Sequence, residues 1–85
     1  MTSDYYVNKC FETSDLGLAA ALVTASYPID HLDKNDTSKV RFVFLRDNGL
    51  DDVIQLYWAN ELKLSLLAYF NNLKMLKNRI YSEGS

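Results

Sequence analysis

The chain has 85 residues, of which 48% are apolar and 24% are charged, and its formal net charge is −2. This length and composition predict one folded domain over residues 1–85, with frayed ends at 1–4 and 82–85. The longest apolar run, residues 18–23, is far shorter than the roughly 18 residues of a membrane span, and the start lacks the pattern of a secretory signal. We therefore expect a cytoplasmic protein with no membrane contact. Its single cysteine fits a reducing compartment.

The first part of the chain predicts a strand followed by a helix. Residues 5–13 are rich in aromatic and β-branched side chains at even spacing, which favours a strand. Thr13 and Ser14 are candidates to cap the helix that follows. That helix is expected over residues 16–26, because its apolar residues recur at helical spacing and Pro28 prevents its continuation.

Residues 28–47 predict two strands around a polar turn. The first strand is expected at about 29–33, and turn-forming residues occupy 34–38. The second strand is expected at 39–46, where large apolar side chains alternate strongly between the two faces. Apolar residues on both faces are typical of a central strand. Phe42 and Phe44 lie on one side of it, and Arg41, Val43 and Leu45 lie on the other.

The remainder predicts two helices separated by a break. The first is expected at about 50–60 with Asn48 as its cap, and the second at 66–81 with Ser65 as its cap. Asn60 and Ser65 are more common at helix ends than inside helices, so we favour a break over one long helix.

These elements give an α+β fold in the order β-α-β-β-α-α. A right-handed crossover makes strands one and two parallel. If the third strand lies between them, the sheet order is 1-3-2 and the helices cover mainly one face. The half-apolar opposite face, with Arg41, Val43 and Leu45, is then a candidate surface for a partner protein or a second copy.

The last helix combines a broad apolar face with a basic end. We expect Lys74, Lys77 and Arg79 to contact nucleic-acid phosphates and Tyr81 to stack on a base. The alternative is that these cations only complement the dipole at the helix C-terminus. Trp58 is expected in the core rather than at an interface. The apolar face predicted to pack inward comprises Leu66, Tyr69, Phe70, Leu73, Leu76 and Ile80.

Signatures of catalysis are mostly missing. Three glycines, none of them clustered, exclude a phosphate-binding loop, and one cysteine with one histidine cannot form a structural zinc site. A small acidic cluster could hold Mg²⁺ for phosphodiester cleavage, although a solvated turn is the favoured interpretation. We therefore predict no enzyme activity, no metal and no cofactor. The cluster comprises Asp30, His31, Asp33 and Asp36.

Four segments resemble a family of small domains of unknown function, DUF5659, which is associated with bacterial and phage genomes. The resemblance implies a compact module of phage or mobile-element type, and it supplies no catalytic residue and no substrate. The segments are "FETSDLGLAAAL" (11–22), "RFVF" (41–44), "YWANELKL" (57–64) and "FNNLKMLKNRIY" (70–81).

The charge distribution leads to two main hypotheses about function. Residues 1–60 hold nine acidic and five basic side chains, whereas residues 61–85 hold two acidic and four basic ones. The first hypothesis is a non-catalytic accessory subunit of an RNA or DNA complex that contacts phosphates through the last helix. The alternative is a protein-binding module, either a homodimer or an inhibitor of a host protein, without nucleic-acid contact. A Mg²⁺-dependent nuclease is the least supported.

Overall fold

A computed structural model of the protein describes residues 9–35 and 39–84. Three helices and three strands lie in this part of the chain, in the predicted order. Residues 5–8 of the predicted first strand and 36–38 of the predicted turn lie outside the described residues. In chain order the elements are β1 (Cys10–Thr13), α1 (Leu16–Thr24), β2 (His31–Asp33), β3 (Arg41–Leu45), α2 (Asn48–Trp58) and α3 (Leu66–Gly84).

The three strands form one antiparallel sheet in the order β1-β3-β2, which confirms the predicted topology. On β3, Phe44 lies opposite Phe11 of β1, and Phe42 lies opposite Leu32 of β2. Since both outer strands run antiparallel to β3, they run parallel to each other. The strand with the strongest alternation is therefore the central one, as its pattern predicts.

The core lies between one face of this sheet and the three helices. Alanines in α1 bring its backbone close to its neighbours, because their side chains end at Cβ. The sheet contributes two phenylalanines, and each helix contributes at least one leucine. The buried cluster comprises Leu18, Ala19, Ala20, Leu22, Phe42, Phe44, Leu50 and Leu76.

The first helix starts at Leu16, as predicted, but its cap is not one of the predicted residues. Asp15, rather than Thr13 or Ser14, is the N-cap: its backbone is extended and its Oδ1 accepts a hydrogen bond from the Leu18 amide at 3.2 Å. Thr13 instead accepts a hydrogen bond through Oγ1 from the Asp15 amide at 3.0 Å. The capping role therefore belongs to the last polar residue before the helix, where a side chain reaches the third amide beyond it.

Of the caps predicted for the other two helices, the one for α2 is wrong and the one for α3 is confirmed. Asp47, not Asn48, caps α2, because its Oδ1 accepts from the Leu50 amide at 2.7 Å. Asn48 is already helical. Ser65 caps α3 as predicted, accepting through Oγ from the Ala68 amide at 3.2 Å. The break between α2 and α3 is also confirmed.

Each of the first two helices is followed, two residues after its last residue, by a residue in the left-handed conformation. Ser26 follows α1 with φ of 79°, and Asn60 follows α2 with φ of 60°. After α2, the Glu61 amide donates to the Leu56 carbonyl at 2.9 Å, which folds the chain back over the helix end. Asparagine favours this conformation and serine does so less. As a result, α1 ends at Thr24, two residues before its predicted end.

The longest helix in the described part of the chain is α3, with 19 residues. Neither α3 nor any other helix among the described residues is long and apolar enough to cross a membrane. It packs mainly against α1. At about 1.5 Å per residue it is roughly 28 Å long, so it offers the longest helical surface of the domain.

Candidate binding surface

The inner side of α3 is fixed against α1 by packing and by two hydrogen bonds. Leu76 is fully buried. The Tyr69 hydroxyl donates to the Gly17 carbonyl at 3.2 Å, and Asn72 Nδ2 donates to Thr24 Oγ1 at 2.9 Å. The predicted inward positions Tyr69, Leu73, Leu76 and Ile80 all contact the core.

The outer side of the same helix is also apolar, but it is open to solvent. Leu66 is 81% exposed, Leu67 is 71% exposed and Phe70 is 53% exposed. Leu66 and Phe70 were predicted to pack inward, and that prediction is wrong. Along the helix, the exposed residues within about a 100° arc form a surface that we call the α3 outer face. The α3 outer face comprises Leu66, Leu67, Phe70, Lys74, Lys77 and Tyr81.

Helix geometry explains the error at Leu66 and Phe70. At 100° per residue, Leu66 lies about 80° and Phe70 about 120° around the axis from the buried Leu76. Because α1 contacts only one side of α3, residues this far from the contact line leave the interface. An apolar stripe that is wider than the available contact must therefore expose one of its edges.

A groove adjoins the N-terminal end of the α3 outer face. It has a volume of about 290 Å³, and Ala21 of α1 also contributes to its lining. The left-handed conformation of Asn60 turns the chain here, so that residues 61–65 run along the groove before α3 begins. The main lining side chains are Tyr57, Asn60, Leu62, Leu64, Leu66 and Tyr69.

The hydroxyls of Tyr57 and Tyr69 form the polar end of this groove. Both lie close to Gly17 at the start of α1. A methyl group added at Gly17 would lie 3.0 Å from the Tyr57 hydroxyl and 3.3 Å from the Tyr69 hydroxyl, so glycine allows this approach. Burial raises the pKa of Tyr57 above its ordinary value of 10.0, and the charges of Asp15 and Tyr69 raise it further. Tyr57 therefore stays neutral at physiological pH and can donate a hydrogen bond.

Trp58 lies on the surface and not in the core, contrary to our expectation. It is 63% exposed, and its ring contacts the Tyr57 ring edge-on with centroids 5.0 Å apart. Tyr57 thus links an exposed tryptophan to the groove. The groove was not predicted, although the alternating leucines at 62, 64 and 66 next to "YW" were a visible signal.

The predicted nucleic-acid residues do not all lie together. Lys74, Lys77 and Tyr81 are exposed on the α3 outer face, and Lys74 Nζ lies 5.3 Å from the centre of the Phe70 ring. Arg79 is half-buried, and helical geometry places it about 140–160° around the axis from these three residues. The α3 outer face therefore carries two cations rather than three.

The predicted protein interface on the sheet has a covered centre. Arg41 and Leu45 are exposed, but Val43 is only 3% exposed. In the sheet register Val43 lies between Glu12 of β1 and His31 of β2. The apolar centre of this face is therefore less accessible than the α3 outer face.

The acidic cluster at 30–36 shows local hydrogen bonds. His31 Nδ1 and Asp30 Oδ2 lie 2.7 Å apart, and both side chains are exposed. Asp33 Oδ1 accepts from the Asn35 amide at 2.9 Å. Asp36 lies outside the described residues. Within the described ranges, no group of three or more histidine, cysteine or acidic side chains could hold a metal ion.

The described residues thus form a small α+β domain whose most accessible apolar surface is one side of its last helix and the adjoining groove. The chain belongs to the family described as domain of unknown function (DUF5659), whose model matches residues 8–82. No curated protein matches the chain, and no solved structure does.

Proposed function

We propose that the protein is a non-catalytic module that binds a partner protein through the α3 outer face and the adjoining groove. The observation that carries this proposal is the exposure of Leu66, Leu67 and Phe70 beside an apolar groove. Contiguous exposed apolar surface of this kind often marks an interaction site. We further propose that the module works in the cytoplasm, in line with its single cysteine.

The composition of the surface fits an interface better than a small-molecule site. Aromatic side chains carry much of the binding energy in interfaces. Tyr57 lines the groove, Trp58 contacts Tyr57, and Phe70 lies on the α3 outer face. Lys74 and Lys77 add a polar margin at one end. Apolar residues at the centre with charges at the margin are the usual arrangement of protein–protein contacts.

The proposal is tested by comparing captured proteins between matched variants. Immobilised wild type, the double variant Trp58→Ser/Phe70→Ser and the control Met75→Ser are each incubated with an extract of the source organism. Met75 is also exposed on α3, but it lies about 140° around the axis from Phe70.

We expect proteins that are captured by the wild type and the control and are lost with the double variant, as measured by quantitative mass spectrometry. Circular dichroism checks that all three chains remain folded. Identical captured sets with all three chains, or no enrichment with the wild type, would contradict the proposal.

A second candidate function is contact with RNA or DNA. The observation that favours it is that Lys74, Lys77 and Tyr81 share the exposed side of α3. Two phosphate contacts predict weak binding to a single strand, with a log–log salt slope of about −1.5. On a chain with a net charge of −2, such binding would assist a larger assembly rather than act alone.

The structure supplies a matched control for this candidate. Lys77→Glu should weaken binding to a labelled oligonucleotide, measured by fluorescence anisotropy, while Arg79→Glu, which changes the net charge equally, should change it much less. Equal losses from both changes, or binding that is insensitive to salt, would argue against contact through the α3 outer face.

A further inference from the structure

We infer that the groove receives a lysine side chain of the partner protein, with its alkyl stem against the leucines and its ammonium group among the oxygens beside Gly17. This inference rests on the proposed function, because it names the chemistry of the partner at the same surface. Its starting point is the space that glycine leaves open in the first turn of α1.

Three oxygen atoms surround that space. Outside the adjoining part of α1, they are the heavy atoms nearest to the position that a Cβ at Gly17 would take. Tyr57 Oη lies 3.0 Å from that position, Asp15 Oδ1 lies 3.3 Å from it and Tyr69 Oη lies 3.3 Å from it. Asp15 caps α1, whereas the tyrosines belong to α2 and α3. The polar end of the groove thus combines oxygens from all three helices.

The hydrogen bonds of these oxygens show that the site needs a donor. The Tyr69 hydroxyl already donates to the Gly17 carbonyl, so its oxygen can only accept. The Asp15 carboxylate is an acceptor with about four lone pairs, of which the Leu18 amide uses one. The Tyr57 hydroxyl has no hydrogen-bond partner among the described residues. An apolar group placed here would remove water from these oxygens without replacing its hydrogen bonds.

The local charge favours a positively charged donor. Asp15 carries a full negative charge, which exceeds the roughly +0.5 charge that a helix N-terminus presents. Its charge is also one cause of the raised pKa of Tyr57. Among the described residues that line the groove, none is basic. A cation is therefore favoured at the polar end, and an anion is disfavoured.

The shape and walls of the groove fit one lysine side chain. Its volume of about 290 Å³ lies at the lower limit of the roughly 300–1,000 Å³ of pockets for drug-sized ligands. Leu62, Leu64 and Leu66 supply aliphatic walls for an alkyl stem. Lysine ends in a compact ammonium with three donors, which suits oxygens that approach from different directions, whereas the guanidinium of arginine is a flat fork.

The first test uses n-butylammonium, which reproduces the lysine side chain beyond Cα, and the ¹⁵N-labelled full chain at about pH 7. Nuclear magnetic resonance should show saturable shifts of the amides of Tyr57, Leu64 and Tyr69, with a Kd of about 1–10 mM for so small a ligand. Butan-1-ol and butyrate should bind at least about tenfold more weakly, because they lack the positive charge. Equal binding of butan-1-ol would overturn the inference.

Matched variants locate the binding site of the ammonium group. Asp15→Asn should weaken n-butylammonium binding about threefold to tenfold, since it removes the charge but keeps a good helix cap. The control Asp52→Asn changes the net charge equally, and Asp52 lies about 140° around the α2 axis from Tyr57. Tyr57→Phe should also weaken binding, and it serves as the test if Asp15→Asn unfolds. Equal effects of Asp15→Asn and Asp52→Asn in folded chains would contradict the site.

The second test connects the groove to the captured proteins. Addition of n-butylammonium chloride should release proteins captured by the wild type, while sodium chloride at the same concentration should not. Asp15→Asn should capture less of them than Asp52→Asn does. Proteins that are lost with Trp58→Ser/Phe70→Ser but are unaffected by n-butylammonium and by Asp15→Asn would refute the lysine and leave the proposed function standing. No capture by the wild type would refute both.

Discussion

The inner side of α3 places Leu73 and Leu76 against the core, whereas the outer side leaves Leu66, Leu67 and Phe70 in solvent. The two sides have the same kind of side chain on one helix. What separates them is the position of α1, which contacts only one side. Apolar composition therefore does not define a core, because a neighbouring element must be present to cover it. Where none is present, the same kind of residue stays in solvent, as Leu66, Leu67 and Phe70 do.

The largest contrast should appear when one leucine is removed from each side. We expect Leu76→Ala to lower the free energy of unfolding by about 2–5 kcal/mol, because it leaves a cavity in a fully buried position. Leu67→Ala should change it by at most about 0.5 kcal/mol. Urea unfolding at low protein concentration measures both. Similar losses in the two variants would show that the outer side is also packed within one chain.

A smaller contrast should appear between two asparagines of the same helix. Asn72 donates to Thr24 Oγ1 at 2.9 Å in a partly buried position, whereas Asn78 is exposed. We expect Asn72→Ala to cost about 1 kcal/mol through loss of this hydrogen bond. Asn78→Ala brings the same gain in helix propensity without loss of a tertiary contact. The difference between the two variants therefore measures the hydrogen bond between Asn72 and Thr24. If urea unfolding shows no difference between them, the α1–α3 contact is weaker than its geometry indicates.

Much of the fold follows from local pattern. The strong alternation of β3 predicts a central strand, and the helical spacing in α3 predicts the longest helix; both predictions are confirmed. Cap residues are harder to predict from the sequence. Several neighbouring polar residues have side chains that can cap a helix, and only the direction in which the chain enters the helix selects one of them. The end of α1 was misplaced because Ser26 takes a left-handed conformation that favours glycine or asparagine.

The candidate site was less predictable than the fold. Lys77 and Arg79 are close in sequence, but a helix separates them by about 160° around its axis. Phe70 and Trp58 were assigned to the core because large apolar side chains are usually buried. Tertiary packing decides which of these side chains the neighbouring helices and strands leave exposed. No local sequence pattern specifies that packing.

The smallest expected effect concerns Tyr57 of α2, which lines the groove beside α3. Burial, Asp15 and Tyr69 raise its pKa above 10.0. The fold therefore favours the neutral phenol. This contribution to stability is fully present below pH 10.0 and is lost as the pH rises through the raised pKa of the folded state. Tyr57→Phe should make the alkaline decline in stability shallower.

Nuclear magnetic resonance of labelled tyrosine Cζ atoms, from about pH 8 to about pH 12, measures the Tyr57 pKa directly. Asp15→Asn should lower that pKa towards 10.0 by removing one negative charge. Asparagine also caps helices well, so α1 should remain intact. Because burial is the main cause, the Tyr57 pKa should stay above 10.0 in this variant. A return to 10.0 would mean that the groove is as open to water as the α3 outer face beside it.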